Sequence, residues 1–233
     1  MTLFHTAENL RHDHIKADYS ISHDLTVQSD QHFRLPYWME VIDWSHEGIV
    51  GNHNPRYGEL LKLGRLQAPL GDQFLKRPQK AVLITSHLRE PRASCYELLK
   101  NHLPIDGLGP YFDRTIRSHH QSGFLKKDVL QNYAFNLCPE NGIYPGYATE
   151  KIPEAFAAGC LPISLVDERV GEDFNSDGFI NLSKMMTNNK DGLGVTLKSK
   201  ATLEKFAQQP LLLHVPSLAG ANKFVKKIVD DIR

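Results

Sequence analysis

From residue 81 onward, short apolar runs alternate with longer amphipathic stretches. Residues 81–86 form an apolar run bounded by polar residues, which predicts a buried parallel strand. Residues 91–102 follow a helical pattern with Tyr96, Leu98 and Leu99 on the apolar side, and 103–105 form a second short strand. Residues 125–132 read as a helix, 133–138 as a strand and 149–158 as a helix. Two further strands are predicted at 161–166 and 179–182, and two amphipathic helices near 203–208 and 219–232. Strands alternating with helices imply an α/β fold whose parallel sheet is covered on both faces. Ligands on such sheets bind beyond the carboxyl ends of the strands, so the segments after Ser86, Ile105 and Cys138 are the places to look.

The first stretch has a different character. Residues 1–79 are rich in His, Asp and aromatics, and turn signals at Gly48, Gly51, Asn54-Pro55, Gly58, Pro69 and Gly71 break their apolar segments. Residues 64–79 read as a linker, which divides the chain into regions 1–78 and 79–233. Lys plus Arg number 27 and Asp plus Glu 27, so no basic stripe offers itself to nucleic acid, and no nucleic-acid partner is expected. No apolar run approaches the ~20 residues of a membrane span, and the first residues lack the pattern of a signal peptide. Cys95, Cys138 and Cys160 are odd in number and far apart, which excludes a disulfide or metal pattern and favours a reducing, cytoplasmic location.

Candidate chemistry is densest from Asn136 to Lys151, between a predicted strand and a predicted helix. Thr149 suits an N-cap, Glu150 sits where the helix dipole favours a carboxylate, and Pro153 falls in the first turn, where its missing N–H costs little. Ile152, Ala155, Phe156 and Gly159 share one face, which leaves the helix start to a ligand. A helix start with Lys151 beside it is an anion site, and a neighbouring carboxylate can hold a ribose diol. The plainer reading is that these polar residues only cap and turn the chain.

Residues 133–141 (Tyr-Ala-Phe-Asn-Leu-Cys-Pro-Glu-Asn), followed by Gly146-Tyr147-Ala148-Thr149-Glu150-Lys151, resemble the signature of the α-1,3-fucosyltransferases, glycosyltransferase family 10. The resemblance extends through residues 158–163, 172–175 and 179–181, and upstream to Asp18-Tyr19 and Arg34-Leu35-Pro36. It implies two Rossmann-like halves of the GT-B type with the active site between them. Residues 1–78 then become a partial acceptor-side domain, with the N-terminal half incomplete, and 79–233 a GDP-fucose-binding domain. It implies GDP-L-fucose as donor, a glycan as acceptor, and transfer with inversion. Tyr147, Glu150 and Lys151 match the family's donor-holding residues, and Asn141 of the same signature joins them. The family's diphosphate-binding Arg matches Arg114 best, with Arg117 close by and Arg92 at a helix start as a further candidate. No Asp-x-Asp element is present, so no metal or other cofactor is expected beyond the donor.

Inverting transfer needs a carboxylate to take the proton of the attacking hydroxyl. Phe4-His5-Thr6-Ala7-Glu8-Asn9 resembles the family's Phe-x-x-Gly-Glu-Asn element, which maps the base to Glu8, although Ala7 replaces the Gly. Only seven residues precede Glu8, so the early part of the family's N-terminal half is expected to be missing, and a non-catalytic nucleotide-sugar-binding remnant is the alternative. The turn after Ile163 also departs from the family, which leaves the fucose and acceptor contacts open.

Other groups point elsewhere. His12-Asp13-His14 with His23 and Asp24 fits a polar surface loop better than a metal site. His119-His120 reads as a solvated loop, and Tyr37, Trp38 and Trp44 suit either sugar stacking or packing. The last helix carries Phe224, Val225, Ile228 and Ile232 beside Lys226 and Lys227, which suits docking onto the fold and, second, peripheral contact with an anionic membrane.

Overall fold

The computed structural model describes residues 1–113, 124–183, 185 and 192–232. Near the start, three short strands pair in parallel, β1 (Leu3–His5), β2 (Tyr19–Ser22) and β3 (His32–Arg34), in that order. Phe4 points inward while Leu3 and His5 point out, as the two-residue period of a strand requires.

The second sheet is assembled from the apolar runs β4 (Ala81–Ile84), β5 (Ile105–Leu108), β6 (Phe135–Leu137), β7 (Leu161–Ser164) and β8 (Ile180–Asn181). All five are parallel, in the order β5-β4-β6-β7-β8. These are the strands that the pattern predicts, trimmed or shifted at their ends. β5 begins where its predicted run ends.

Residues 64–79 are not a linker. They contain α1 (Leu63–Gln67) and α2 (Gln73–Lys76), and Leu66, Leu70 and Phe74 enter the same core as the second sheet. Pro69 and Gly71 split their i, i+4, i+8 apolar spacing into two short helices, yet the burial of one Phe and two Leu contributes about 2 kcal/mol each. The crossovers of the second sheet carry α3 (Arg92–Lys100), α4 (Lys126–Leu130) and α5 (Lys151–Ala157). α5 packs on β7 and touches both α1 and α4. α6 (Gly192–Lys198) and α7 (Lys200–Ala207) pack together after β8.

The last helix, α8 (Ala219–Ile232), returns to the first sheet. Its buried Phe224 meets the rings of Tyr19 and Phe33, with centroids 5.9 and 5.7 Å away. Lys227 donates to the Tyr19 hydroxyl at 3.2 Å, and that hydroxyl donates to Asp231. Trp38 and Trp44 are buried in the core, so they pack rather than offer faces to a sugar. Cys95, Cys138 and Cys160 are buried free thiols.

Candidate functional site

After β4 the chain crosses to β5 on one side, then crosses back over to β6 on the other. The carboxyl ends of β4 and β6 therefore open into a crevice at a switch point, the usual ligand position on such sheets. Here the crevice is one wall of a cleft of about 1080 Å³. Residues after β4 (Thr85, Ser86, His87) and after β6 (Pro139, Asn141) line it. The opposite wall comes from the ends of the first sheet, with Glu8 after β1 and Tyr37 after β3.

At the base of the wall that follows β6 lies a buried carboxylate, Glu140, with no exposed surface. It accepts from the Thr149 N–H at 2.8 Å, from the Thr149 hydroxyl at 2.8 Å, and from Lys151 Nζ at 2.7 Å. Lys151 also reaches the Thr149 hydroxyl at 2.6 Å and lies 4.0 Å from Glu150. Burial works against the Lys151 charge, but Glu140 and Glu150 outweigh it and raise its pKa. Burial likewise would raise Glu150, yet Lys151 and Lys126 hold it down at about 2. A second buried pair lies alongside: Lys126 Nζ bonds Glu154 at 2.5 Å, and Asn54 donates to the other oxygen at 2.8 Å. Tyr147 lines the cleft while 3% exposed, and burial and then Glu140 push its phenol pKa up, so it stays a neutral donor.

Thr149 is not the N-cap of α5. The helix begins one residue later than that reading requires, with Glu150 at the cap position and no side-chain cap bond, because the Thr149 hydroxyl is drawn to Glu140. With α5 only seven residues long, the charge of the site rests on side chains rather than on the helix end.

Arg92 is the cation that the sequence ranks lower and the geometry favours. It is 7% exposed, lines the cleft, and sits at the start of α3. Its guanidinium donates to the Thr85 hydroxyl at 2.7 Å, to the His87 carbonyl at 3.2 Å and to Asn141 Oδ1 at 2.5 Å. All three acceptors are neutral, and among the described residues no carboxylate stands at ion-pair distance from it. A buried guanidinium with neutral partners keeps its charge for an anion in the cleft. Asn141, an expected ligand contact, holds Arg92 in place. Arg114, Arg117, His119 and His120 lie outside the described residues.

Glu8 lines the cleft from the other side and is exposed. Its carboxylate has no hydrogen bond or ion pair among the described residues. Its backbone is tied instead: the Glu8 N–H donates to the Thr6 hydroxyl at 3.1 Å, and the Leu10 N–H to the Glu8 carbonyl at 2.7 Å. Among the described residues no three His, Cys, Asp or Glu side chains gather as metal ligands would, and His12 and Asp24 instead share a hydrogen bond from the His12 N–H at 2.8 Å. Glu140, Lys126, Glu154 and Asn54 are the residues that sequence reasoning did not single out. Only Glu140 carried a signal, as the acid of the 133–141 segment.

The model of the family described as "Glycosyltransferase family 10 (fucosyltransferase) C-term" matches residues 74–209, more than half of the chain. The chain belongs to glycosyltransferase family 10. Within this family it resembles the alpha-(1,3)-fucosyltransferase FucT of Helicobacter pylori, 26% identical over 196 residues, which cover 77% of this chain and 40% of that protein. The family 10 chain thus spans two-fifths of that relative's length. A solved alpha1,3-fucosyltransferase with GDP-fucose superposes with a TM-score of 0.71 at 22% identity, over 97% of this chain and 74% of that one. A second solved alpha1,3-fucosyltransferase gives 0.72 at 22% identity, over 98% and 72%. At this identity the likeness speaks to the fold, an α/β arrangement of two Rossmann-like halves of the GT-B type. The N-terminal half is the smaller, with three strands against five among the described residues. No helix among the described residues is long and apolar enough to cross a membrane.

Proposed function

We propose that the cleft binds GDP-L-fucose and that the protein transfers L-fucose, with inversion, to a sugar hydroxyl of a glycan in an α-1,3-type linkage. The observation that carries this reading is the buried, carboxylate-free Arg92 guanidinium at the switch point, beside Lys151 and Tyr147 in one cleft. In this reading Arg92 and Lys151 neutralise the diphosphate, and the ionised Glu150 accepts from ribose hydroxyls. The acceptor oxygen attacks the anomeric carbon of fucose while the bond from that carbon to the phosphate oxygen breaks. GDP leaves with the bonding pair, and Glu8 takes the acceptor's proton. Region 1–78 serves as the acceptor side and region 79–233 as the donor side, and no metal is strictly required. Arg114 joins the diphosphate grip in this reading, and transfer should then fall in Arg114→Lys as well as in Arg92→Lys.

A nucleotide-sugar-binding protein without turnover is the second reading, favoured by the small N-terminal half, with three strands against five among the described residues. Calorimetry with GDP, followed by transfer from GDP-fucose to galactose- and N-acetylglucosamine-containing acceptors, separates the two. Binding with transfer that Glu8→Gln abolishes supports the enzyme. Binding without transfer supports the second reading, and absence of GDP binding overturns both.

A further inference from the structure

The loop after Glu8 and the loop 141–147 that follows β6 are pressed together by side chains from both halves. The Arg11 guanidinium lies over the Tyr144 ring, 3.0 Å from its centroid, and also donates to Asn9 and, at 3.4 Å, to the buried Asp24. Asn9 sits so close to Gly142 that a Cβ there would come within 2.5 Å of its Nδ2. The His23 ring touches Tyr144 and Tyr147, with centroids 5.8 and 4.9 Å away. Gly146, at φ +83°, leaves room for the His23 carbonyl, which a Cβ would approach to 2.5 Å. Arg34 fixes that carbonyl at 3.2 Å and makes a two-pronged pair with Asp173, at 3.1 and 2.6 Å, back on the donor side.

These contacts bear on the weakest-held functional group of the cleft. The Glu8 carboxylate has no side-chain partner, so its position over the donor is set by where its backbone is anchored. One anchor is Thr6, just after β1. The other is Arg11, three residues on, whose ring contact belongs to the segment carrying Tyr147. We propose that Arg11 and Tyr144 form a clasp that positions the Glu8 loop against the donor-binding loop. They are positioning residues, acting through Glu8 and touching neither donor nor acceptor. The clasp rests on the reading of Glu8 as the base, but its geometry is tested separately.

The test uses the full chain, GDP-fucose and an N-acetyllactosamine acceptor. Tyr144 is half-buried, and its replacement leaves no buried charge unpaired, so Tyr144→Ala is expected to fold. It should lower kcat by roughly 10- to 100-fold, the scale of a misplaced reacting group, with KM for GDP-fucose within about twofold. Tyr144→Phe, which keeps the ring, should restore kcat. In a Glu8→Gln background Tyr144→Ala should cost nothing further, since both act on one step. Amide hydrogen exchange should quicken together in residues 6–11 and 141–147 of Tyr144→Ala and Arg11→Ala, and nowhere else. Unchanged exchange in both segments, or a rise in KM for GDP-fucose with kcat unmoved, overturns the clasp. If Glu8→Gln alone transfers at the wild-type rate, the base reading fails, and exchange then decides the clasp by itself.

Discussion

On the wall built from residues 135–157, Glu140, Glu150 and Glu154 each stand within 4.0 Å of a lysine, and all are largely shielded from water. On the wall built from residues 3–24, the Glu8 carboxylate stands in solvent, and only its backbone is tied. The first of these walls is assembled by folding itself, because breaking any of its pairs leaves a charge in low dielectric. The other wall is cheap to build and cheap to disturb, so its geometry depends on what it leans against. If Glu8 is the base, as proposed, this difference is what its task requires, since a permanent cation partner would lower its proton affinity.

The sharpest way to break this comparison is Glu140→Ala. It strands Lys151 without its buried partner and should cost about 3–5 kcal/mol in urea denaturation, with GDP binding lost alongside. A loss under about 1 kcal/mol would mean that the two walls are held alike. Next in size, Glu8→Gln should leave stability within about 0.5 kcal/mol of wild type while transfer falls roughly 100-fold or more. Arg92→Lys follows. It keeps the charge but loses the planar fork, and calorimetry should show GDP affinity down by about 2 kcal/mol, roughly 30-fold.

The smallest effect belongs to His5 and Glu40, a half-exposed pair at 2.8 Å on the cleft rim. The Glu40 hydrogen bond raises the His5 pKa above its ordinary 6.5, against the pull of burial. Its contribution is therefore complete below that value and disappears as pH rises through the raised one. Because the pair is solvent-screened, His5→Asn should cost no more than about 0.5 kcal/mol below pH 6.5, and less as pH rises, as read by denaturation across a pH series.

Much of the larger sheet was legible because parallel strands buried on both faces appear as continuous apolar runs, such as Ala81–Ile84. Tyr147, Glu150 and Lys151 were legible because one short segment carries all three to the cleft. What escaped depends on distance along the chain. Asn54 meets Glu154 across a hundred residues, and no local pattern announces that bond. Arg92 gains its weight only when Thr85, His87 and Asn141 close around it. Thr149 had the right chemistry for a cap, but a buried acid nine residues earlier competed for its hydroxyl and won. The 64–79 segment looked like a linker because Pro69 and Gly71 interrupt the i, i+4, i+8 spacing of its anchors, Leu66, Leu70 and Phe74.

The return of α8 onto Tyr19 and Phe33 joins a helix to strands some two hundred residues before it. Synthesis runs from β1 to α8, so the surface that Phe224 covers is translated some two hundred residues before its cover. A nascent chain therefore carries a greasy, unfinished first sheet through the whole assembly of the second. Sealing of the first sheet is thus a late stitching event, in which a distant helix closes over strands made long before it.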